Sequence, residues 1–345
     1  SRHRIIFISQ VVNALTSGAM LFMVAFHMES LSEWMVFAAI FMQGATKAIE
    51  DPSRRTAILD IVGEGRLVPA LSLDTISNTT GKMVGPIFGG WLLANVGISG
   101  EFTGAYIFVV ALHVINLGVV TRLRIPRSLS EESSESVLRG LWTAIGFALH
   151  SRTLLGLLYI TIVMNTLAFP VQQFIPAIGR DHLDVGVALV GLLVAAEGIG
   201  QLAGAGLIAL KRNVRYHGRI FALGSVSICV ITFIWVWSPW YAVTFALLAI
   251  GGIGQSGFGT MQSAVTLLAS PPELRGRIMG LLSFCIGVGT PIGGLEMGAI
   301  AAMFGIQGAI SANVAAGLLV MLPALILTPL LWHPLVQPPR ATAEA

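Results

Sequence analysis

Ten long apolar runs follow one another along this chain of 345 residues. Each run is close to the roughly 20 residues that an α-helix needs to cross a bilayer. Only 11% of the residues are charged and 55% are hydrophobic, which leaves too little polar surface for a soluble domain of this size. The runs also lack the alternation typical of membrane β-strands. The sequence therefore predicts an all-α membrane protein with helices over residues 5–25, 34–50, 68–96, 104–121, 153–178, 185–210, 219–237, 240–268, 277–304 and 308–331.

The basic residues indicate how these predicted helices are oriented. Lys47 and Lys82 lie within spans and Arg180 lies on one side, whereas the other Lys and Arg residues all lie on the opposite side. Cytoplasmic loops carry an excess of Lys and Arg. We therefore expect an integral protein of the cell (inner) membrane with both termini in the cytoplasm. The net charge of +3 reflects this sorting and does not indicate a nucleic-acid partner.

One long connection divides the chain unequally. Residues 1–124 carry four predicted helices, residues 125–152 form a cytoplasmic linker, and residues 153–345 carry six helices. The first part of the linker is rich in Ser and Glu, whereas the second part places apolar residues on one side of a predicted helix. We expect this helix to lie on the cytoplasmic surface of the membrane. A target helix for a partner protein is the alternative.

A glycine–proline motif occurs twice, six predicted helices apart. Glycines recur every four residues in the third helix, and Thr290-Pro291-Ile292-Gly293-Gly294 in the ninth helix repeats part of the pattern. This spacing favours close helix packing, and proline bends a helix. A six-helix repeat requires twelve helices, so we expect two more before residue 1. The residues assigned to this conformational helix motif are Gly81, Gly85, Pro86, Gly89, Gly90 and Pro291.

With these motifs in view, the chain resembles the major facilitator superfamily of secondary transporters, which have two six-helix halves. The segment 81–90 is similar to the fifth-helix signature of its drug–proton antiporters, and Arg2-His3-Arg4 is similar to the end of a basic loop in the first half. The segments 51–67 and 273–280 are similar to loops of the drug and siderophore exporter sub-group that includes the enterobactin exporter and macrolide efflux proteins.

The resemblance implies that ten of twelve helices are present, four from the N-terminal half and six from the C-terminal half, in an N-terminally truncated chain. It also implies alternating access, in which the halves rock around a central site. One position departs from the family pattern. Ile40 stands where many proton-coupled exporters carry an arginine, ahead of Gln43 and Gly44.

Polar side chains inside the predicted spans are candidates for the substrate and coupling site, because burying them unpaired is costly. Lys82 and Glu197 lead the set, since a carboxyl that exchanges its surroundings between two conformations can couple proton binding to transport. Structural roles are the alternative: Lys47 and Glu50 are spaced for an intrahelical ion pair, and the amides for hydrogen bonds between helices. The predicted set is Lys82, Glu197, Asn78, Lys47, Glu50, Asn165, Gln201, Gln255 and Glu296, with Gln172, Gln173, Ser256 and Gln262 as further uncharged candidates.

Charged residues near the predicted cytoplasmic loops are candidates for a gate. Asp74 is close enough to the cytoplasmic side to pair with Arg54 or Arg55. The predicted gate residues are Asp51, Arg54, Arg55, Asp74, Arg275 and Arg277.

The sequence predicts a transporter and not an enzyme. It has no His-Glu pair at metal-binding spacing, no phosphate-binding loop outside the apolar runs and no ATP-binding motif, so we expect neither metal nor cofactor. The predicted function is proton-coupled export of an amphipathic small molecule, such as a drug or siderophore, by a monomer in the lipid bilayer. Import, transport of a lysophospholipid or metabolite on the same fold, and a non-transporting membrane sensor are the alternatives.

Overall fold

The computed structural model describes residues 2–26, 33–95, 103–122, 137–211 and 214–332, and the side chains of 33, 86–95, 105, 137–141 and 187–188 lie outside that description, as does the side chain of residue 2. Within these ranges the chain is helical, as predicted. The α-helices are α1 (Arg2–Ala25), α2 (Glu33–Val62), α3 (Leu67–Asn95), α4 (Thr103–Arg122), α5 (Val137–His150), α6 (Arg152–Val163), α7 (Ile175–Ala177), α8 (Val187–Leu210), α9 (His217–Trp235), α10 (Tyr241–Leu268) and α11 (Arg275–Leu327).

Helix α2 is longer than predicted. The sequence places 51–62 in a loop after a span that ends at residue 50, but the helix continues through Pro52 to Val62. Ala57 and Leu59 are buried in this extension, so apolar packing favours helix over loop. The gate candidates Asp51, Arg54 and Arg55 therefore lie on a helix.

The fifth predicted span is an irregular helix. After α6 the chain forms a π-helical turn (Met164–Ala168), a 3-10 turn (Phe169–Phe174), the short α7 and a second π-helical turn (Ile178–His182). Pro170 has no N–H and interrupts the α-helical hydrogen bonds there, and π-helical turns are frequent at functional sites. We call Arg152–His182 the broken helix.

The last two predicted spans are two helices that meet at Gly305 without an intervening loop, and we label them together α11. Helix α11 runs from Arg275 to Leu327, and its backbone leaves the helical conformation at Gly305, where φ is 76°. Glycine adopts this left-handed conformation without the steric cost of a Cβ atom. The kink lies in the predicted loop at 305–307.

Six helices in the described ranges are long and apolar enough to cross a membrane by length and composition. They are α1 from His3, the broken helix, α8 from Leu189, α9, α10 and α11. Because α11 contains two predicted spans, these helices account for seven of the ten. The described part of α4 from Tyr106 is a shorter apolar helix.

The chain forms two compact units, and one of the divisions between them falls inside α3. One unit contains Ser1–Ile61 and Gly81–Glu132, and the other contains Val62–Thr80 and Ser133–Ala345. In the first unit α1 packs on α4, with Ile6 and Val120 in a small core.

In the second unit α10 packs on both α8 and α9, while α11 packs on α6, α9 and the π-helical turn after α6. Phe258 of α10 contributes to this core by stacking on Phe221 of α9, with 5.0 Å between ring centroids. It also makes an edge contact with Phe169 of the broken helix at 5.2 Å. The broken helix, α9 and α10 therefore meet around one aromatic cluster.

Candidate functional site

The Glu197 carboxylate has an amide partner from the broken helix. Glu197 is partly buried in α8, and its Oε1 atom accepts a hydrogen bond of 2.6 Å from Nε2 of Gln172. Gln172 lies in the 3-10 turn Phe169–Phe174. The amide group can donate to an ionised carboxylate or accept from a protonated one, so the pair is compatible with both protonation states.

Glu197 and Gln172 line a small cavity between the broken helix, α8, α9 and α10. Thr232 and Gln255 are also in its wall, and the remaining lining residues are mostly apolar. About 30 Å³ of the cavity is open to the centre of a water molecule, which is enough for one or two waters. Binding sites for drug-sized molecules are roughly 300–1,000 Å³. In this conformation the cavity therefore suits a proton or a water and not a bulky substrate.

Glycines bring the backbones of α8 and α10 together beside this cavity. A Cβ atom on Gly200 would overlap the carbonyl oxygen of Ala249, and one on Gly252 would overlap the carbonyl oxygen of Glu197. Small residues permit such close approach between membrane helices. The contact holds the polar side chains of α8 next to α10.

Gln201, one turn after Glu197, connects three helices. Its Nε2 atom donates to Oε1 of Gln255 in α10 at 2.9 Å, and its Oε1 atom accepts from Oγ1 of Thr79 in α3 at 3.1 Å. One turn earlier in α3, the hydroxyl of Thr75 is 3.2 Å from that of Thr260 in α10. The structure thus brings the predicted residues Gln201 and Gln255 together and adds three threonines to them.

Asn165 is buried in the π-helical turn and bonded between helices. Its Nδ2 atom donates to the carbonyl oxygen of Thr161 at 2.8 Å, and its Oδ1 atom accepts from Oγ1 of Thr290 in α11 at 3.4 Å. Only 5% of the residue is exposed. These contacts favour the structural alternative for Asn165.

The second glycine–proline motif packs directly on this turn. A Cβ atom on Gly293 would overlap the carbonyl oxygen of Thr166, and one on Gly289 would lie 2.9 Å from Cβ of Asn165. The helix continues through Pro291 between them. The backbone of α11 therefore fixes the start of the irregular part of the broken helix.

Glu296 has a partner beyond the kink of α11. Its Oε2 atom accepts a hydrogen bond of 3.3 Å from Nδ2 of Asn313, and Asn313 is 2% exposed. The contact links the two arms of α11 across Gly305. It therefore favours a structural role over a substrate site for Glu296.

In the first unit, polar contacts join α1 to α2. Glu50 accepts a hydrogen bond of 2.8 Å from Gln10, and Thr46 donates one of 2.6 Å to Asn13. Lys47 is exposed. The carboxylate of Glu50, predicted to pair with Lys47, thus has an amide partner from a neighbouring helix.

The first glycine–proline motif has open surroundings where it is described. Lys82 is exposed, and a Cβ atom on Gly81 or Gly85 would meet nothing within 4 Å beyond its own helix among the described residues. The close approach predicted from the glycine spacing is not seen at these two positions. Asn78 donates to the backbone oxygen of Asp74 at 2.9 Å. The backbone is helical through the other motif residues, whose surroundings lie outside the described side chains: Pro86, Gly89 and Gly90.

Arg275, a predicted gate residue, forms an ion pair with Glu64. Their Nη2 and Oε1 atoms are 2.7 Å apart, and Nε of Arg275 also donates to the carbonyl oxygen of Leu267 at 3.0 Å. Glu64 begins a 3-10 turn (Glu64–Arg66) just before α3. The pair therefore ties the start of α3 to the start of α11.

Other gate candidates make local contacts. Asp51 and Arg54 pair with each other at 3.4 Å within α2, each about one third exposed, and exposed pairs of this kind contribute little stability. Arg55, Asp74 and Arg277 each have an interaction partner.

Sequence reasoning missed several partners because they are neutral or lie in a turn. A hydroxyl in an apolar helix commonly bonds to its own backbone and gives no signal of its own. The spacing of Ser72, Thr75 and Thr79 along one side of α3 is the pattern that indicates a polar helix contact. The missed partners are Glu64, Thr75, Thr79, Thr260 and Asn313.

A family model described as transmembrane secretion effector, of the major facilitator type, matches residues 1–333. The chain belongs to this family. A relative of the chain, the enterobactin exporter EntS of Escherichia coli strain K12, is 24% identical over 286 residues, which are 82% of this chain and 67% of EntS. EntS of Shigella boydii serotype 18 is 25% identical over 245 residues, which are 70% of this chain and 57% of that protein.

Solved transporters have the same architecture. The fucose:proton symporter FucP of E. coli matches with a TM-score of 0.76 at 13% identity, over 94% of this chain and 83% of FucP. The human organic anion transporter MFSD10 matches with a TM-score of 0.73 at 13% identity, over 94% of this chain and 77% of MFSD10. These likenesses show the fold alone. They confirm the all-α, major-facilitator-type bundle. The family match over residues 1–333 shows an integral membrane protein of a transporter family.

Proposed function

We propose that this protein exports an amphipathic small molecule in exchange for protons. The observation that carries the proposal is the carboxyl of Glu197, held by Gln172 in the wall of a water-sized cavity among apolar helices. A carboxyl in such a place can bind a proton in one conformation and release it in another. Because EntS is named for enterobactin, we take enterobactin as the first substrate to test and an amphipathic drug as the second.

Two contacts support alternation between conformations. The segment Val62–Thr80 is tied to the C-terminal helices by the ion pair of Glu64 with Arg275 and by the hydrogen bond of Thr79 with Gln201. Each net contact of this kind is worth about 0.5–3 kcal/mol, so a few of them can be exchanged between two states of similar free energy. We propose that the Glu64–Arg275 pair belongs to a cytoplasmic gate.

We further propose a monomer in the cell (inner) membrane with both termini cytoplasmic, in which 1–124 and 153–345 belong to the two half-bundles. Helix α5 supports a linker on the membrane surface. Ala144 and Ala148 are buried, whereas Trp142 is 71% and Leu149 is 59% exposed. One residue, Ser151, separates α5 from α6. An apolar face with an exposed Trp beside a membrane span is typical of an interfacial helix.

Secretion by living cells tests export and its coupling together. E. coli cells that lack their own enterobactin exporter, and that express the full-length protein, are expected to release enterobactin into the medium. Efflux of ethidium from loaded cells tests the amphipathic-drug alternative. Glu197→Gln is expected to abolish the dependence of efflux on external pH, because an amide does not bind a proton. Glu296→Gln is the matched control and is expected to keep that dependence.

Each result of these assays distinguishes the proposed function from one alternative. Accumulation of the compound inside the cells would favour an importer. Release of neither compound would exclude both proposed substrates, and lysophospholipids would be the next class. A wild-type pH profile in Glu197→Gln would remove Glu197 from the coupling role while leaving export intact.

A further inference from the structure

We propose that Gln172 is a positioning residue that transmits the protonation state of Glu197 to the broken helix. The inference rests on the proposed coupling role of Glu197. The side chain of Gln172 joins this carboxyl to the 3-10 turn Phe169–Phe174. A proton bound at Glu197 therefore changes a contact that belongs to an irregular and readily rearranged part of the backbone.

The hydrogen-bonding groups of Glu197 and Gln172 explain how proton binding changes the contact between them. With Glu197 ionised, Nε2 of Gln172 donates to Oε1 over 2.6 Å, and a hydrogen bond to a charged acceptor is stronger than one between neutral groups. A protonated carboxyl carries a hydroxyl that needs an acceptor, and Oε1 of Gln172 can provide it after the amide group rotates. Proton binding and amide rotation are thereby linked, because an unrotated amide would place a donor against the new hydroxyl donor.

Other charged groups on the neighbouring elements do not line the cavity. Tyr241 of α10 donates to the backbone oxygen of Leu189, and His182 at the end of the broken helix bonds to the backbone oxygen of Ser238 at 3.2 Å. In the described part of the chain, Glu197 is the only titratable side chain in the cavity wall. The titratable or charged groups on the elements that contact α8 and lie outside this wall are Tyr241, Arg152, Tyr159, Arg180, Asp181, His182, Asp74 and Lys82.

The position of Gln172 in the broken helix indicates which helix contact changes when the 3-10 turn moves. Gln172 follows Pro170 by two residues, and the π-helical turn Met164–Ala168 comes immediately before. That turn packs on Gly293 of α11. A shift of the 3-10 turn therefore acts on the contact between the broken helix and the Pro291 region of α11, which the sequence singles out as a conformational helix.

Infrared difference spectroscopy of the purified full-length protein in bilayers tests the pair without any substrate. The C=O stretch of a protonated carboxyl is followed as a function of pH, and the part that disappears in Glu197→Gln belongs to Glu197. In Gln172→Ala we expect the midpoint of this band to move to higher pH by about one unit, because the ionised form loses a charge-assisted hydrogen bond. Gln173→Ala is the matched control, since Gln173 lies beside Gly294 of α11, and its midpoint is expected to stay at the wild-type value.

Hydrogen exchange of residues 164–174 provides the second readout. We expect it to change with pH in the wild type and in Gln173→Ala, and to lose that change in Gln172→Ala. The double variant Gln172→Glu with Glu197→Gln restores one carboxyl and one amide, and we expect it to regain a titrating band and pH-dependent exchange.

The outcomes distinguish this inference from the proposed function. An unshifted midpoint in Gln172→Ala, with the Glu197 band present, overturns the role of Gln172 and leaves the coupling role of Glu197 standing. Absence of any band that depends on Glu197 contradicts the coupling role itself. A silent double variant would show that the pair does not act as a unit and would also overturn the inference.

Discussion

The two copies of the glycine–proline motif have different surroundings. In α3, Gly81 and Gly85 have nothing packed against them among the described residues, whereas in α11 Gly289 and Gly293 lie directly on the π-helical turn of the broken helix. The two copies share glycine and proline at similar spacing. Glycine spacing therefore creates a surface that a helix can approach closely, but it does not determine whether one does.

The contact between α8 and α10 extends this comparison. Gly200 and Gly252 meet backbone atoms as closely as Gly293 does, yet no proline motif marks them. Helix α3 instead reaches its neighbours through the side chains of Thr75 and Thr79. Close packing by glycine and polar contact by threonine are thus two separate ways in which helices of this protein associate.

The largest expected effect comes from adding a side chain to the second glycine–proline motif, in α11, which packs on the broken helix. Gly293→Ala places a Cβ atom against the carbonyl oxygen of Thr166, and we expect a loss at the upper end of the about 1–3 kcal/mol typical of overpacking. Gly85→Ala fills open space and is expected to be neutral or slightly stabilising, since Ala favours helix by up to about 1 kcal/mol. Thermal unfolding of both variants in detergent is the measurement. Equal losses of stability in the two variants would show that the two copies of the motif do not differ in packing.

A smaller loss is expected between α8 and α10. Gly252→Ala brings a methyl group against the carbonyl oxygen of Glu197, which costs about 1–3 kcal/mol and displaces the carboxyl from its cavity. We therefore expect a lower unfolding temperature and a weaker pH dependence of efflux. Gly259→Ala, at another position of α10, meets nothing within 4 Å and serves as the control. Unchanged efflux in Gly252→Ala would show that α8 can move away from α10 without consequence.

Gly305→Ala measures the cost of a strained backbone conformation separately from the cost of a steric overlap. Gly305 has φ of 76° and ψ of 163°, with open space around its Cα, so the cost of Ala comes only from this positive-φ backbone conformation, about 1–3 kcal/mol. Gly298→Ala, also in open space but at an ordinary helical position of α11, is expected to be neutral. A thermal shift assay compares the two. Equal stability of the two variants would show that the kink tolerates a Cβ atom.

The smallest effect is expected where α3 makes its polar contact. Thr79→Val keeps the shape of the side chain but leaves Oε1 of Gln201 without its donor, and we expect a loss of about 0.5–1.5 kcal/mol. The exposed neighbour Thr80 provides the control variant Thr80→Val. Stability and the rate of efflux are both to be measured. A silent Thr79→Val would leave the Glu64–Arg275 ion pair as the better-supported link between α3 and the C-terminal helices.

Much of the architecture could be predicted from the sequence. Nine of the ten predicted spans coincide with described α-helices, two of them with the two arms of α11, because bilayer-sized burial and backbone hydrogen bonding leave helix as the available structure. The ends of the helices were less predictable than their positions. Helix α2 extends twelve residues past its predicted end to Val62, because Ala57 and Leu59 find buried positions that no local pattern reveals.

The candidate site was predictable as a set of residues but not as an arrangement. Glu197, Gln201 and Gln255 were identified from polarity alone, since polar groups in apolar helices are rare and costly. Their partners were harder to find. Gln172 contacts Glu197 from a 3-10 turn that replaces the predicted regular helix, and this turn changes the direction in which every following side chain points.

The sequence by itself determined that the chain is helical, that it belongs in a membrane and that few polar side chains lie within its spans. These properties follow from residue-by-residue costs of burial, which do not depend on neighbours distant in the chain. Tertiary structure alone decided that Gly293 packs against a neighbouring backbone whereas Gly85 has open space beside it, and that Glu197 is paired with Gln172. The physical reason is that close packing and hydrogen bonding act over a few ångströms, between residues whose approach depends on the path of the whole chain.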